Sequence, residues 1–428
     1  MDMIQYKVRY HQYCFPCCFT KVCLVLSMIL ILLFPVYGQL IKDVQKTKEG
    51  HTEIPFEYIN GFIVVDIIFQ KFLPLKFILD TGAENTILLK REIAEVMRLP
   101  YQKRIKLIGS DMSQEVYAQV SNSTFIQVTN LPLSRQNIIV LEEDYLFLEE
   151  YIGRPIDGIL GAEFFKDRVV KIDYRKEIIT VIEPKLFKPS RYKKYQTLDI
   201  EVISRKPYIT TTTEVNPGQA VQTRLLIDTG AGVSSILHNN VDTAMTHRGK
   251  FIKGSLGKGL GGTIEGYIGT IQSMKIGDFH FINMICSFQS IEDAIISENK
   301  LIRHGLLGNL LWDRFDIILD FYHKKVYLKP HKYYNKAFEY DRSGLTIFAF
   351  GPDLRRYYVK YVGENSPAHL ADIREGDEII GIGRWSYKWF SLKKINKMLS
   401  DDSNKKIKFK IKRGSEILTR EFELRDLF

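Results

Sequence analysis

Cysteine is scarce in this chain. Of five cysteines in 428 residues, Cys14, Cys17, Cys18 and Cys23 crowd the first two dozen positions, and Cys286 stands alone in the rest. A lone cysteine closes no internal disulfide, so the body of the protein must be held by an apolar core. The CFPCC run at 14–18 has a metal-like spacing, but no second cysteine pair accompanies it. No small residue precedes Cys17 or Cys23, so a lipoprotein-type cut has no site. The His-Glu-x-x-His zinc motif and the Gly-x-Ser-x-Gly nucleophile turn are both missing, and Cys286 has no histidine partner visible in the sequence. Those absences leave no parts for a zinc peptidase, a serine hydrolase or a cysteine peptidase. Low-complexity tracts are also missing, while 45% of residues are hydrophobic and 26% charged, the balance of a folded protein of two or three domains.

Long hydrophobic runs are lacking as well. VCLVLSMILILLF (22–34) is the one apolar stretch of note, and it is too short to span a bilayer comfortably. Lys7, Arg9 and Lys21 precede it and Gly38 follows, so residues 1–38 read as a secretory signal peptide. The body is then expected outside the cytoplasm, periplasmic or secreted, with membrane attachment only if that segment stays uncleaved. The net charge of +10 invites a nucleic-acid reading, but lysine and arginine are spread along the chain. In the densest run, NKKIKFKIKR (404–413), Ile407, Phe409 and Ile411 alternate with Lys406, Lys408, Lys410 and Lys412. That is the solvated face of a strand, so no nucleic-acid partner is expected.

What is present is a repeat. FILDTGAENTILL (77–89) returns as LLIDTGAGVSSIL (225–237), which sets Asp80 and Asp228 apart by 148 residues. A second pair of landmarks, DGILGAEFFKDRVVKIDYRKEIITV (157–181) and HGLLGNLLWDRFDIILDFYHKKVYL (304–328), follows each at about 80 residues. Matching order and spacing imply one duplicated unit of about 150 residues, and hence two lobes about a pseudo-two-fold axis. FIVVDIIFQ, YITTTTEV and the approaches to both aspartates are β-branched and aromatic, so the units read as strands with few short helices.

A single Asp-Thr-Gly is ordinary turn chemistry, since Asp bonds its own backbone and Gly accepts positive φ. Two copies, each after an aliphatic strand and each followed by aliphatic-aliphatic-Gly, are harder to read that way. At this point the sequence resembles the aspartic peptidases of the pepsin and retropepsin clan, of bacterial type, over about residues 50–330. The resemblance implies a mainly β, bilobal fold of acid-protease-like barrel lobes, lobe one at 39–190 and lobe two at 191–335. It implies catalytic roles for Asp80 and Asp228, supported by the loops Thr81, Gly82, Ala83 and Thr229, Gly230, Ala231. Ile159-Leu160-Gly161 and Leu306-Leu307-Gly308 would brace those loops. Polypeptides would be the substrates, no cofactor or metal is required, and both halves lie in one chain, so a monomer suffices. Ala83 and Ala231 stand where pepsin-like enzymes often carry Ser or Thr, which predicts a less acidic optimum. The fold alone also admits a non-catalytic peptide-binding or scaffold protein.

Each lobe offers a candidate flap: Arg104–Val120 with its tip at Gly109–Met112, and Gly257–Ser273. The latter contains GKGLGG, a formal dinucleotide fingerprint without the strand and helix that would give it meaning. His238 reads as a surface or hydrogen-bonded residue. Residues 341–428 resemble a PDZ domain, on Ser366-Pro367-Ala368, Gly376-Asp377 and a helix capped by Ser391. That likeness implies capture of peptide C-termini at Gly344-Leu345-Thr346-Ile347, or a regulatory role; Thr346 stands where the family usually has glycine.

Overall fold

A computed structural model describes residues 50–108, 115–259, 262–291, 303–401 and 405–428. The expected signal segment 1–38 and the first flap tip at 109–112 lie outside them, as do residues 260 and 261 of GKGLGG. Among the described residues no helix is long and apolar enough to cross a membrane. The protein is mainly β.

The strands are nearly continuous in apolar residues because they are covered on both faces. In Phe62–Phe69, Ile63, Val65, Ile67 and Phe69 join the main core, while Phe62 and Val64 join a second cluster on the opposite face. The approach to Asp80 is split the same way: Phe77 and Leu79 face the main core, and Ile78 faces the second cluster.

Both halves repeat one eight-strand path. In lobe one the sheet order is Glu57–Ile59, Phe62–Phe69, Leu73–Leu79, Gly158–Leu160, Thr86–Leu88, Ser134–Leu141, Glu115–Val128, Tyr101–Ile108. In lobe two it is Glu201–Ile203, Lys206–Glu214, Ala220–Ile227, Gly305–Leu307, Ser235–His238, Phe279–Gln289, Gly262–Ile276, Phe251–Gly259. Extra pairings, Ile67 with Val128 and Thr212 with Lys275, curl each sheet back on itself.

A third sheet joins the halves. Its order is His51–Pro55, Ile178–Ile182, Val169–Asp173, Phe315–Asp320, Lys325–Pro330, Gln196–Asp199. The two sequence-legible hairpins meet at its centre, where Val170 pairs with Leu319 and Ile172 with Ile317, all fully buried. One apolar core therefore runs through both halves and fixes the two aspartate loops in a common frame.

The C-terminal module keeps its own core around Ile347, Tyr357, Ile395 and Phe409. Its sheet runs Leu345–Phe350, Arg356–Val362, Glu378–Ile382, Lys406–Arg413, Glu416–Glu423, with Trp385–Ser386 beside Glu378–Ile382. Ile407, Phe409 and Ile411 enter the core while Lys406, Lys408, Lys410 and Lys412 are exposed, as the alternation implies. Ser391 caps the helix Leu392–Leu399 by accepting the Lys394 N–H at 3.3 Å. Asp377, fully buried at its side chain, takes the Arg413 guanidinium in a two-pronged pair at 2.7 and 2.8 Å.

Candidate active site

Each aspartate ends a central strand and is held from behind. The Asp80 N–H donates to Leu160 O at 3.0 Å, and the Asp228 N–H to Leu307 O at 2.9 Å. Leu160 and Leu307 belong to the short strands Gly158–Leu160 and Gly305–Leu307, which run parallel to the aspartate strands and antiparallel to Thr86–Leu88 and Ser235–His238. The glycines that follow allow a close crossing: a Cβ on Gly161 would stand 2.4 Å from Asn85 O, and one on Gly308 2.3 Å from Val233 O. That explains why aliphatic-aliphatic-Gly recurs at its fixed distance from each Asp-Thr-Gly.

The two loops are bonded to each other through their threonines. The Thr81 N–H donates to Thr229 Oγ1 and the Thr229 N–H to Thr81 Oγ1, both at 3.0 Å. Each hydroxyl then donates into the opposite lobe, Thr81 to Ile227 O at 2.5 Å and Thr229 to Leu79 O at 2.9 Å. Both side chains are buried, so every one of these groups would be costly to leave unpaired.

The carboxyls lie against one another's loops. Asp80 Oδ1 accepts the N–H groups of Gly82 at 2.6 Å and Ala83 at 3.1 Å; Asp228 Oδ1 accepts that of Gly230 at 2.9 Å. A Cβ on Gly230 would stand 2.2 Å from the Asp80 carboxyl carbon, and one on Gly82 2.8 Å from that of Asp228. Each carboxyl therefore occupies the space that a side chain on the other loop would need. Ala231 contributes through its carbonyl, which accepts the Asn309 N–H at 2.8 Å, as Ala83 O accepts that of Ala162 at 2.8 Å.

Burial raises the pKa of both carboxyls. Asp80 is lifted well above the ordinary carboxylate range by burial and by the charge of Asp228, against the N–H groups of Gly82 and Ala83. Asp228 is also raised by burial, but the positive charge of Arg303, the hydrogen bond from Asp80, the Gly230 N–H and Lys206 hold it lower. Raised together and in contact, the two carboxyls titrate as a pair.

The halves are not interchangeable here. Gly232 stands where lobe one has the exposed Glu84, because a Cβ there would meet Asn60 O and the Phe62 ring at 2.8 Å each. Asn309, directly after Gly308, is fully buried where lobe one has Ala162. Its amide donates to Gly61 O at 2.7 Å and Thr229 O at 2.6 Å, and its oxygen accepts the Tyr174 hydroxyl at 2.7 Å. Asn309 thus ties lobe one to the Thr229 loop. Reading the motifs alone passes it over; the signal was a polar residue in one copy of an otherwise apolar segment. Nearby, the Tyr58 hydroxyl donates to Asp313 at 3.1 Å, and burial pushes the Asp313 carboxyl up to about 6.

His238 differs from expectation. It is 2% exposed, and among the described residues neither ring nitrogen has a hydrogen-bond partner. It follows Ile236 and Leu237 into a buried strand, and desolvation with the nearby charges of Arg303 and His304 pushes its pKa down to about 3.

A family model described as aspartyl protease matches residues 59–164 and 211–310, two segments that hold both Asp-Thr-Gly loops and both glycine crossings. No curated protein sequence matches the chain significantly. Among solved structures, the aspartic proteinase from Irpex lacteus aligns with 67% of this chain and 99% of its own, at 13% identity and a TM-score of 0.42. The duplicated, cross-bonded loops thus lie in the part of the chain that is similar in sequence to aspartyl proteases.

Proposed function

We propose that this protein is an extracytoplasmic aspartic endopeptidase that hydrolyses polypeptides with a water molecule activated between Asp80 and Asp228. The observation that carries the reading is the pair of loops cross-bonded through Thr81 and Thr229, which hold two raised carboxyls against each other's glycine. Metal-free peptide hydrolysis needs one group to take a proton from water and another to give one to the carbonyl oxygen. Like charges this close do not both ionise, so in one protonation state the pair supplies both groups, as aspartic dyads do generally. The ionised member of the pair takes the proton of water, and the protonated member donates to the oxygen. Neither loop brings a hydroxyl at position 83 or 231 to favour the ionised form, which supports an optimum less acidic than that of stomach-type enzymes.

The charged and apolar N-terminal segment supports export, and the hairpins Tyr101–Ile108/Glu115–Val128 and Phe251–Gly259/Gly262–Ile276 are the candidate flaps. The C-terminal module is read as PDZ-like, with a role in peptide recognition or regulation. The test is cleavage of an unstructured protein from about pH 3 to pH 8 by the chain beside Asp80→Asn and Asp228→Asn. Loss in both folded variants supports the dyad, whereas cleavage unchanged in either variant refutes it. A rate still rising as the pH falls to about 3 would refute the role given to Ala83 and Ala231.

A further inference from the structure

The C-terminal module sets the strand Leu345–Phe350 at the edge of its sheet, beside the helix Leu392–Leu399. An edge strand is where an extended peptide adds to a sheet through main-chain hydrogen bonds. Here, however, another segment of the same chain packs against that strand. The lobe-one helix Leu148–Ile152 packs against Leu345–Phe350, and Tyr151 meets Phe348 edge-on with ring centroids 5.7 Å apart. Gly153 (φ +74°) then turns onto the start of the module's helix, so close that a Cβ would stand 2.9 Å from Leu392 Cβ. Lys393, the next residue of that helix, donates to Tyr58 O at 3.1 Å.

Phe348 shows that this contact is built in. Leu345, Ile347 and Ala349 point into the module's own core, and Phe348 points the other way. It is nonetheless 3% exposed, covered by the lobe-one Tyr151 and the module's Tyr358. The turn that opens the strand is also committed: Asp341 Oδ1 accepts the N–H groups of Ser343, Gly344 and Leu345 at 3.0, 2.6 and 3.0 Å. An internal carboxylate thus holds the Gly344 and Leu345 N–H groups of the loop from which capture of a peptide carboxylate was expected. On the other side, the Tyr361 hydroxyl donates to Lys253 O at 3.0 Å, on the lobe-two hairpin strand Phe251–Gly259.

We propose that the edge strand Leu345–Phe350 and the helix Leu392–Leu399 take the lobe-one segment 148–153 of the same chain as their partner, in place of a peptide C-terminus. The module is then a brace between the two lobes. A helix laid over a strand edge removes it as a pairing template, which is one way folded proteins protect such edges. The inference does not rest on the peptidase reading, because it is argued from contacts between the module and the lobes and not from Asp80 or Asp228.

Amide hydrogen exchange on the full chain tests it, with Tyr151→Ala and Phe348→Ala as reciprocal variants. Tyr151→Ala should speed exchange in 345–350 by about tenfold or more, and Phe348→Ala should do the same in 148–153. Exchange in the interlobe strand Val169–Asp173 should stay unchanged in both, which shows that the fold is kept. In parallel, the wild-type chain should not bind a fluorescent peptide with an apolar C-terminal residue at about 1 mM, a weak-binding limit. Unchanged exchange across the contact in either variant overturns the proposal. So does wild-type binding of the free-carboxylate peptide when its C-terminally amidated form fails to bind.

Discussion

Thr81→Val removes one oxygen from the centre of the molecule at nearly constant volume, so it isolates the bonds between the loops. The hydroxyl accepts the Thr229 N–H at 3.0 Å and donates to Ile227 O at 2.5 Å. Thr81 and Ile227 are fully buried and Thr229 is 1% exposed, so water does not reach the groups left behind. Stranding one buried N–H and one buried C=O costs about 1–3 kcal/mol each, or ~2–6 kcal/mol together. The extra buried methyl returns about 0.8 kcal/mol, which leaves a net loss of roughly 1–5 kcal/mol. Thr81→Ser keeps both bonds and should lose only about 1 kcal/mol with the missing methyl. Urea unfolding followed through Trp312, the buried member of three tryptophans, would measure both variants. A hydrophobic swap at a fully buried site would otherwise be neutral or stabilising. Thr81→Val as stable as wild type, or Thr81→Ser as damaging as Thr81→Val, would therefore refute the cross-bonding account.

Four further outcomes follow from the site and its surroundings. Above pH 3.8, the ordinary value, the raised Asp80 binds more protons folded than unfolded; stability then falls as pH rises through the pair's raised range, and Asp80→Asn should flatten that slope in Tm measured against pH. Gly230→Ala sets a methyl 2.2 Å from the Asp80 carboxyl carbon, so cleavage should vanish while unfolding shows a loss of only about 1–3 kcal/mol. Asn309→Leu strands Gly61 O, Thr229 O and the Tyr174 hydroxyl; it should cost about 3 kcal/mol or more, and a variant within 1 kcal/mol of wild type by denaturation would show the tie to be idle. His238 must stay neutral when folded, so the chain loses stability as pH falls below 6.5 toward about 3; His238→Leu should remove that loss, a gain of about 2 kcal/mol at pH 5, readable from denaturation at pH 5 and pH 7.

The parts of the molecule that were legible in its sequence are those encoded locally and twice. Asp-Thr-Gly after an aliphatic strand, and Gly161 and Gly308 at matching distances, specify a close backbone crossing that no other residue type permits. The alternation of Ile407, Phe409 and Ile411 with lysines gives the strand and its faces directly. What escaped notice depends on distant partners. Asn309 looks like a helix-start residue until Gly61, Thr229 and Tyr174 are brought to it from three other segments. His238 sits in a strand position that lobe one fills with Leu89, and its lack of partners is invisible without the surrounding core. The helix Leu148–Ile152 is too short to leave a periodic signature, and Phe348 reads as one more apolar residue of a strand. Their contact joins residues about two hundred positions apart, which no local pattern records.

The central claim is that Asp80 and Asp228 act as one unit, and the most direct test compares cleavage rates of Asp80→Asn, Asp228→Asn and the double variant on one unstructured substrate. Groups that act as a unit are non-additive, so each single variant should fall to the same background as the double. Single variants that retain wild-type cleavage, or losses that multiply independently in the double, would contradict the account.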